Sequence, residues 1–320
     1  MIKKLLQNYI KSTISDDDVA VLLSGGIDSI SVALAAHDAG KKVHAYSFQL
    51  GNQTSYDFIK AAEISFKMNW KFTPIVVPTD NLENDWYRLV KLNCRKKTHF
   101  ECVFPFLYVY PKITEKYVLT GWGADGYFGV SKKAMMRYSS FKKKRNYVNY
   151  CKSHNQKRYN WNEFRLHYLN GDCAGLKKHT DLAIKHDKVH ITPYLDLRVK
   201  ALLIGMSYEE LNKPRQKEII RKDFTKLKNF GIIKQHQNLH LVAGVDKLFE
   251  TLLDNPDINF KGRKRMMDVS KDWYSWNFHN YGDEFWDKHL KILRDIAHHQ
   301  RENELIESYV QLEKEGIIKD

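Results

Sequence analysis

Short apolar runs alternate with segments of helical composition through the first 120 residues of the chain. Four runs rich in branched apolar residues predict strands, at 19–23, 42–48, 72–77 and 116–120. Four segments predict helices, at 30–39, 56–67, 80–97 and 100–113. Gly40 follows the first of these helices as a helix-terminating residue. Strands and helices at these intervals require crossover connections, so the pattern predicts an α/β fold with a parallel sheet.

The second half of the chain has a weaker pattern. Residues 131–190 are rich in Lys, Tyr and Asn and predict helices that cover one edge of the sheet. From 283 to 315, apolar residues recur at three- and four-residue steps, which predicts one or two amphipathic helices packed on the core or on a partner. We therefore expect a leader helix at 1–16, an α/β domain at 17–260 and a helical C-terminal extension at 261–320.

The string Ser-Gly-Gly-Ile-Asp-Ser at residues 24–29 directly follows the first predicted strand. Gly25 and Gly26 let the backbone turn sharply and present N–H groups to a ligand, and the following helix points its positive end at an anion. Because Asp28 would repel phosphate, a divalent cation between carboxylate and phosphate is the economical interpretation. The alternative is a plain strand–turn–helix junction in which Asp28 and Ser29 serve as helix caps.

A second glycine-rich string, Gly-Trp-Gly-Ala-Asp-Gly-Tyr-Phe-Gly at residues 121–129, follows the strand predicted at 116–120. Taken alone it is typical of a turn with Asp125 as an Asx cap. Ligands of parallel sheets bind beyond the carboxyl ends of the strands, however. Its position therefore predicts that Asp125 and Asp28 reach the same cation.

These strings resemble the synthetase domain of the asparagine synthetase family, which belongs to the PP-loop ATP pyrophosphatases and has relatives that close β-lactam rings. The likeness takes in Pro-Tyr-Leu-Asp at 193–196, Lys-Glu-Ile-Ile-Arg at 217–221 and, more weakly, Ser-Tyr-Asp at 55–57. It covers about residues 18 to 255. It implies an adenine-nucleotide α-hydrolase-like core that uses ATP and Mg²⁺ and cleaves ATP between its α and β phosphates.

The resemblance also implies which residues form the site. Asp28 and Asp125 hold Mg²⁺, and Lys217 contacts the phosphates; by charge alone, Lys217 would be a solvated lysine on a basic helix. The residues predicted to bind ATP and pyrophosphate are Leu22, Ser24, Gly25, Gly26, Asp28, Ser29, Phe48, Gly121, Trp122 and Gly123.

Two departures from the family pattern concern the acceptor. Trp122 and Gly126 replace both glutamates of the second motif, and a neutral stacking indole at the first position argues against aspartate as substrate. The family's transition-state lysine corresponds to His236, with Lys234 at a neighbouring arginine position. Three alternatives follow: His236 fills the role of this lysine in a different way, Lys234 takes that role, or the acyl step is altered. An equally open interpretation is that this segment is a basic surface helix without a catalytic role.

Composition bears on partners and location. Lys and Arg number 52 against 38 Asp and Glu, a formal charge of +14, and aromatic residues flank the basic runs at 142–145 and 263–265. A nucleic-acid partner and a solvated surface both fit this excess. The four cysteines have no metal-binding or disulfide spacing. With no apolar run long enough for a membrane span or signal peptide, we expect a cytoplasmic protein that does not engage membranes.

We therefore expect an ATP-dependent carbon–nitrogen ligase that adenylates a small-molecule or nucleobase-linked carboxylate and releases AMP and pyrophosphate. No cysteine follows Met1, so we expect no glutaminase half. The nitrogen then comes from free ammonia, from an amine on the substrate or from a separate glutaminase. Two alternatives are a PP-loop enzyme that modifies a nucleobase in RNA or DNA and an ATP-binding protein without catalysis.

Overall fold

A parallel sheet forms the centre of the molecule in the computed structural model, which describes residues 1–92, 94, 102–128, 176–231 and 245. Its strands are β1 (Asp18–Leu22), β2 (Lys42–Leu50), β3 (Lys71–Val77), β4 (Tyr117–Leu119) and β5 (Val189–Ile191). All neighbouring pairs in these ranges are parallel, in the order β3-β2-β1-β4-β5. The predicted α/β fold with a parallel sheet is confirmed.

Helices connect the strands and cover both faces of the sheet. The described α-helices are α1 (Ile2–Thr13), α2 (Ile27–Asp38), α3 (Tyr56–Lys67), α4 (Leu82–Lys91), α5 (Phe106–Val109), α6 (Ala124–Phe128), α7 (Leu176–Lys185), α8 (Leu197–Ile204), α9 (Tyr208–Asn212) and α10 (Glu218–Asp223). Short 3₁₀ helices lie at Tyr110–Lys112, Pro193–Leu195 and Thr225–Phe230. None of the described helices is both long and apolar enough to cross a bilayer.

The first strand is buried on both sides. Val19 and Val21 pack in an apolar layer with α1, α2 and α8, whereas Ala20 packs in the opposite layer with β2, β3 and α7. All three residues are fully buried. A strand covered on both faces is the arrangement that helix-connected parallel sheets require.

The leader helix packs on the same core as the sheet. Ile2, Leu6 and Ile10 of α1 are fully buried and belong to the layer that contains α2. The N-terminal amino group lies 2.6 Å from the carboxylate of Asp223, at the end of α10. Helix α1 is therefore part of the hydrophobic core.

Two predictions of secondary structure are wrong. The segment at 100–113 is not one helix in its described part, because Pro105 immediately precedes α5 and Pro111 lies in the following 3₁₀ helix. Proline lacks an N–H group and clashes with the preceding turn, which shortens helices here. The segment at 131–190 does not end in helix: α7 is followed by β5, the edge strand next to β4. Residues 131–175 lie outside the described part.

The strand order places a switch point between β1 and β4. From β1 the chain proceeds outward to β2 and β3, and it then returns to the other side of β1 to form β4 and β5. The connection that leaves β1 therefore leads towards one edge of the sheet, and the connection that leaves β4 leads towards the other edge. A crevice opens at such a point beyond the carboxyl ends of the strands, where α/β proteins bind ligands.

Candidate active site

The loop after β1 is held by its two serines. The N–H of Ser24 donates to Oγ of Ser29 over 3.1 Å, and the N–H of Gly26 donates to Oγ of Ser24 over 3.2 Å. The two hydroxyl oxygens lie 3.0 Å apart. Gly26 occupies the N-cap of α2, which has no side-chain cap, so Asp28 and Ser29 lie within the helix. The helix-cap alternative for these two residues is therefore wrong.

The second glycine-rich turn lies directly against this loop. An ideal Cβ on Gly121 would lie 2.6 Å from both the carbonyl carbon of Asp28 and the amide nitrogen of Ser29. Real Cβ atoms essentially never approach backbone so closely. The backbone contact therefore requires glycine at position 121 and brings α6, with Asp125 in its first turn, next to Asp28.

Lys217 joins the two aspartates. Its Nζ donates to Oδ2 of Asp28 over 2.5 Å and to Oδ1 of Asp125. The side chain of Lys217 is only 3% exposed, whereas those of Asp28 and Asp125 are 18% and 31% exposed. A solvated lysine, which charge alone would predict, is not what the structure shows. These three residues, Asp28, Asp125 and Lys217, are called the charged triad below.

Lys217 has a left-handed backbone, with φ 56° and ψ 36°, at the N-cap of α10. This conformation costs a residue with a side chain about 1–2 kcal/mol. Non-glycine residues in such conformations cluster at functional sites, where the surrounding structure holds them in place. The strained backbone directs the side chain of Lys217 towards the ends of β1 and β4.

Burial and mutual contact set the protonation of the charged triad. Burial raises the pKa of the Asp28 carboxyl to about 7, against the opposing charge of Lys217 and with a further rise from nearby Asp125. Burial alone would lower the pKa of the Lys217 ammonium, but the charges of Asp125 and Asp28 outweigh it and raise that pKa. Lys217 is therefore positively charged at neutral pH.

One oxygen of the charged triad has no hydrogen-bond partner among the described residues. Oδ1 of Asp28 is buried and accepts no hydrogen bond from this part of the chain, although Oδ2 of the same carboxylate contacts Lys217. A buried carboxylate oxygen without a partner is costly, and carboxylate oxygens are the ligands that Mg²⁺ prefers. The described residues contain no group of three or more His, Cys, Asp or Glu that could hold a metal ion. Mg²⁺ usually takes one or two carboxylates together with waters and substrate phosphates, and Asp28 with Asp125 fits that mode.

The string Pro-Tyr-Leu-Asp at 193–196 packs beneath the two glycine-rich loops. The hydroxyl oxygen of Tyr194 lies 2.6 Å from Oγ of Ser31 in α2, and Tyr194 is fully buried. Leu195 lies under the turn after β4, where an ideal Cβ on Gly123 would come within 2.7 Å of its Cδ2. Gly123 has φ 85°, a backbone conformation that favours glycine there. The segment at 193–196 thus supports the loops that present the charged triad.

Trp122 follows Gly121 in the second glycine-rich turn, and its indole contacts a histidine ring at a tilted angle of 55°. Its ring centroid lies 4.2 Å from that of His179 in α7, which is also 4.4 Å from Phe106. Burial and the nearby His190 lower the pKa of His179 to about 3, and burial lowers the pKa of His190 to about 4. Both histidines are therefore neutral at pH 7. The sequence does not predict either histidine as a site residue. Isolated histidines form no periodic pattern, and β5, which contains His190, is only three residues long.

Leu22 and Phe48, the remaining predicted site residues in the described part of the chain, have no part in the contacts of the charged triad described above. Leu22 ends β1 and is partly buried against the layer that contains β2 and β3. Phe48 is 7% exposed in β2, and its ring packs edge-on against Phe106 at 5.6 Å. Lys234 and His236 lie outside the described residues, and their predicted roles stay predictions.

The chain is similar to one protein family and, more remotely, to several solved structures. The family model of asparagine synthase matches residues 1–227. No curated protein matches the chain. Among solved structures, the predicted subunit of tRNA methyltransferase from Methanocaldococcus jannaschii is 14% identical, with 69% of this chain and 93% of that chain covered and a TM-score of 0.32. NMN synthetase from Francisella tularensis is 15% identical over 60% of this chain and 97% of that chain, with a TM-score of 0.31.

A third solved structure is glutamine-dependent NAD⁺ synthetase from Acinetobacter baumannii in complex with ADP. It is 16% identical, with 74% of this chain and 46% of that chain covered and a TM-score of 0.23. These likenesses are remote.

Proposed function

The chain belongs to the asparagine synthase family, and we propose that it is an ATP-dependent carbon–nitrogen ligase that activates a carboxylate as its adenylate. The observation that carries this proposal is the charged triad, in which two carboxylates and one ammonium meet at the ends of adjacent strands β1 and β4. Cleavage of ATP between the α and β phosphates requires the charge of the leaving pyrophosphate to be neutralised.

The loop after β1 is proposed to bind the pyrophosphate part of ATP. Ser24, Gly25 and Gly26 bring backbone and hydroxyl groups to the amino end of α2, whose dipole favours an anion. An added side chain at Gly25 would come within 2.8 Å of Cβ of Lys60, so the loop is packed from behind by α3. Lys217, which contacts Asp28 and Asp125, supplies a positive charge next to this loop.

Asp28 and Asp125 would hold Mg²⁺, which on binding neutralises phosphate charge and so favours departure of pyrophosphate. Within this scheme the carboxylate of the acceptor attacks the α phosphorus, the bond to the bridging oxygen breaks, and pyrophosphate leaves with its electron pair. The acyl adenylate then reacts with ammonia or an amine to form the amide and AMP. We propose that the first of these steps occurs next to the charged triad.

We propose that the acceptor carries its carboxylate on a flat, uncharged body. The support is the indole of Trp122, which is only partly buried next to Gly121 and offers an uncharged aromatic surface. A charged amino acid such as aspartate would find no counter-charge on this indole.

The formal charge of +14 supports a second candidate, a PP-loop enzyme that modifies a nucleobase in a polynucleotide. Binding of a labelled RNA or DNA oligonucleotide, measured at 50 and 200 mM salt, separates the two candidates. With six phosphate contacts, affinity would fall about a thousandfold over this range. No binding at low salt would exclude the polynucleotide candidate.

The main proposal is tested by trapping the intermediate. The protein is incubated with a small-molecule cell extract, ATP and Mg²⁺, and the mixture is analysed by mass spectrometry for a new acyl adenylate and for AMP. We expect both with the wild-type protein and neither with Asp125→Asn. Formation of ADP instead of AMP, or no nucleotide cleavage with any extract, would contradict the proposed ligase activity.

A further inference from the structure

Asn212 is a buried amide that the proposed reaction does not itself use. It ends α9, is 3% exposed and lies five residues before Lys217. Buried polar side chains in native proteins are kept where their hydrogen bonds are satisfied and where they fix local geometry. The partners of Asn212 therefore indicate what it holds in place.

Both ends of this amide bind backbone. Oδ1 accepts the N–H of Lys217 over 2.9 Å. Nδ2 donates to the carbonyl of Phe128 over 2.8 Å and to that of Tyr208 over 3.3 Å. Phe128 is the last residue of α6, the helix that carries Asp125. One side chain thus connects the backbone of Lys217 to the helix of its carboxylate partner.

The connection acts at the residue whose backbone is strained. Lys217 has φ 56°, and α10 offers it no side-chain cap. The hydrogen bond from its N–H to Asn212 holds this backbone in place, and Nζ then lies 6.0 Å from the ring centroid of Phe128 on its way to the carboxylates. Without this hydrogen bond, the flexible lysine side chain would let Nζ sample a wider range of positions around Asp28 and Asp125.

We propose that Asn212 is a positioning residue of the nucleotide site, which sets the place of the Lys217 ammonium relative to Asp125. The inference rests on the proposed function, since it assigns Asn212 a role in binding ATP through Lys217. No other common side chain offers one acceptor and two donors in this space: aspartate cannot donate to Phe128, and alanine leaves a buried N–H and a buried carbonyl without partners.

A double-mutant cycle tests the proposal. Calorimetry gives the Kd of ATP in the presence of Mg²⁺ for the wild-type protein, Asn212→Ala, Lys217→Met and the double variant. We expect Lys217→Met to weaken ATP about 10- to 100-fold and Asn212→Ala about tenfold, because a charged hydrogen bond is lost or misplaced. If Asn212 acts through Lys217, the double variant binds ATP no more weakly than Lys217→Met.

A control variant and the contradicting results complete this test. Tyr46→Phe removes a buried hydroxyl that donates to Glu115 over 2.7 Å, before the amino end of β4, and should leave ATP affinity unchanged. Asn212→Asp, nearly the same shape, is measured in parallel in case Asn212→Ala does not fold. Unchanged ATP affinity in the folded Asn212 variant, or effects that multiply in the double variant, would overturn the positioning role. A wild-type protein that does not bind ATP would overturn the proposed function itself.

Discussion

The position of single residues is what distinguishes this site from a generic phosphate loop. The glycine strings at 24–29 and 121–129 predict Asp28 and Asp125 at neighbouring strand ends, and the structure brings them together on one lysine. The burial of Lys217 could not be predicted in the same way. Its neighbours Arg215, Arg221 and Lys222 suggest a solvated basic helix, and a left-handed backbone at a lysine leaves no sequence signal.

The contact between the two glycine loops provides the first residue-scale prediction. Gly121→Ala places a Cβ 2.6 Å from the backbone of Asp28 and Ser29, so the turn must shift away from the loop. We expect a loss of stability of about 1–3 kcal/mol, as for other overpacked sites, together with loss of measurable ATP binding.

Gly205→Ala is the matched control, because the nearest atoms to its added Cβ lie 3.9 Å away. Urea unfolding and calorimetry with ATP measure both effects. Retention of wild-type ATP affinity by Gly121→Ala would show that the loop contact is not needed for binding.

The two carboxylates provide the second prediction at this scale. Asp28→Asn and Asp125→Asn each remove one anionic ligand, so we expect each variant to lose pyrophosphate release and to bind Mn²⁺ more weakly in the presence of ATP. Electron paramagnetic resonance measures the binding of Mn²⁺ without any acceptor substrate. Asp38→Asn, which removes a surface partner of Lys3, is the control. A variant at position 28 or 125 with full pyrophosphate release would remove that aspartate from the mechanism.

At the scale of elements, agreement between prediction and structure follows the strength of local signals. Helix α3 was predicted with the bounds it has, and Ser55 caps it by accepting the N–H of Phe58 over 3.2 Å. Gly40 ends α2 with φ 85°, as predicted. Strand β5 was missed because three residues carry too little pattern, and its place in the sheet comes from tertiary pairing with β4.

Helix α1 carries a prediction that belongs to this scale. Leu6 is fully buried in the layer shared with α2, so Leu6→Ala leaves a cavity beneath the helix that bears Asp28. We expect a loss of about 2–5 kcal/mol in the free energy of unfolding. Lys4→Ala, at an exposed position of the same helix, should change it little. Denaturant unfolding compares the two, and equal stabilities would mean that α1 contributes little to the core.

For the whole molecule, the buried histidines make stability depend on pH. Burial lowers the pKa of His190 from 6.5 to about 4. Below pH 6.5, His190 is protonated in the unfolded chain but stays neutral in the folded protein. The free energy of unfolding therefore falls as the pH falls towards 4. The loss attributable to His190 is about 3 kcal/mol over this window.

His190→Gln isolates this contribution, because glutamine does not titrate. Unfolding by urea at several pH values between 7 and 4 should show the wild-type protein losing stability faster than the variant by that amount. Parallel curves for the two proteins would mean that His190 is not held neutral by the fold.

The contact of Gly121 with the backbone of Asp28 has one further consequence, which concerns entropy. Two strand ends that touch through backbone cannot drift apart independently, so the separation of Asp28 and Asp125 is set when the chain folds. The ordering of these carboxylates is then complete before any ligand arrives. Nucleotide binding need not include that cost, and we expect the free protein and its ATP complex to share the same arrangement of these two loops.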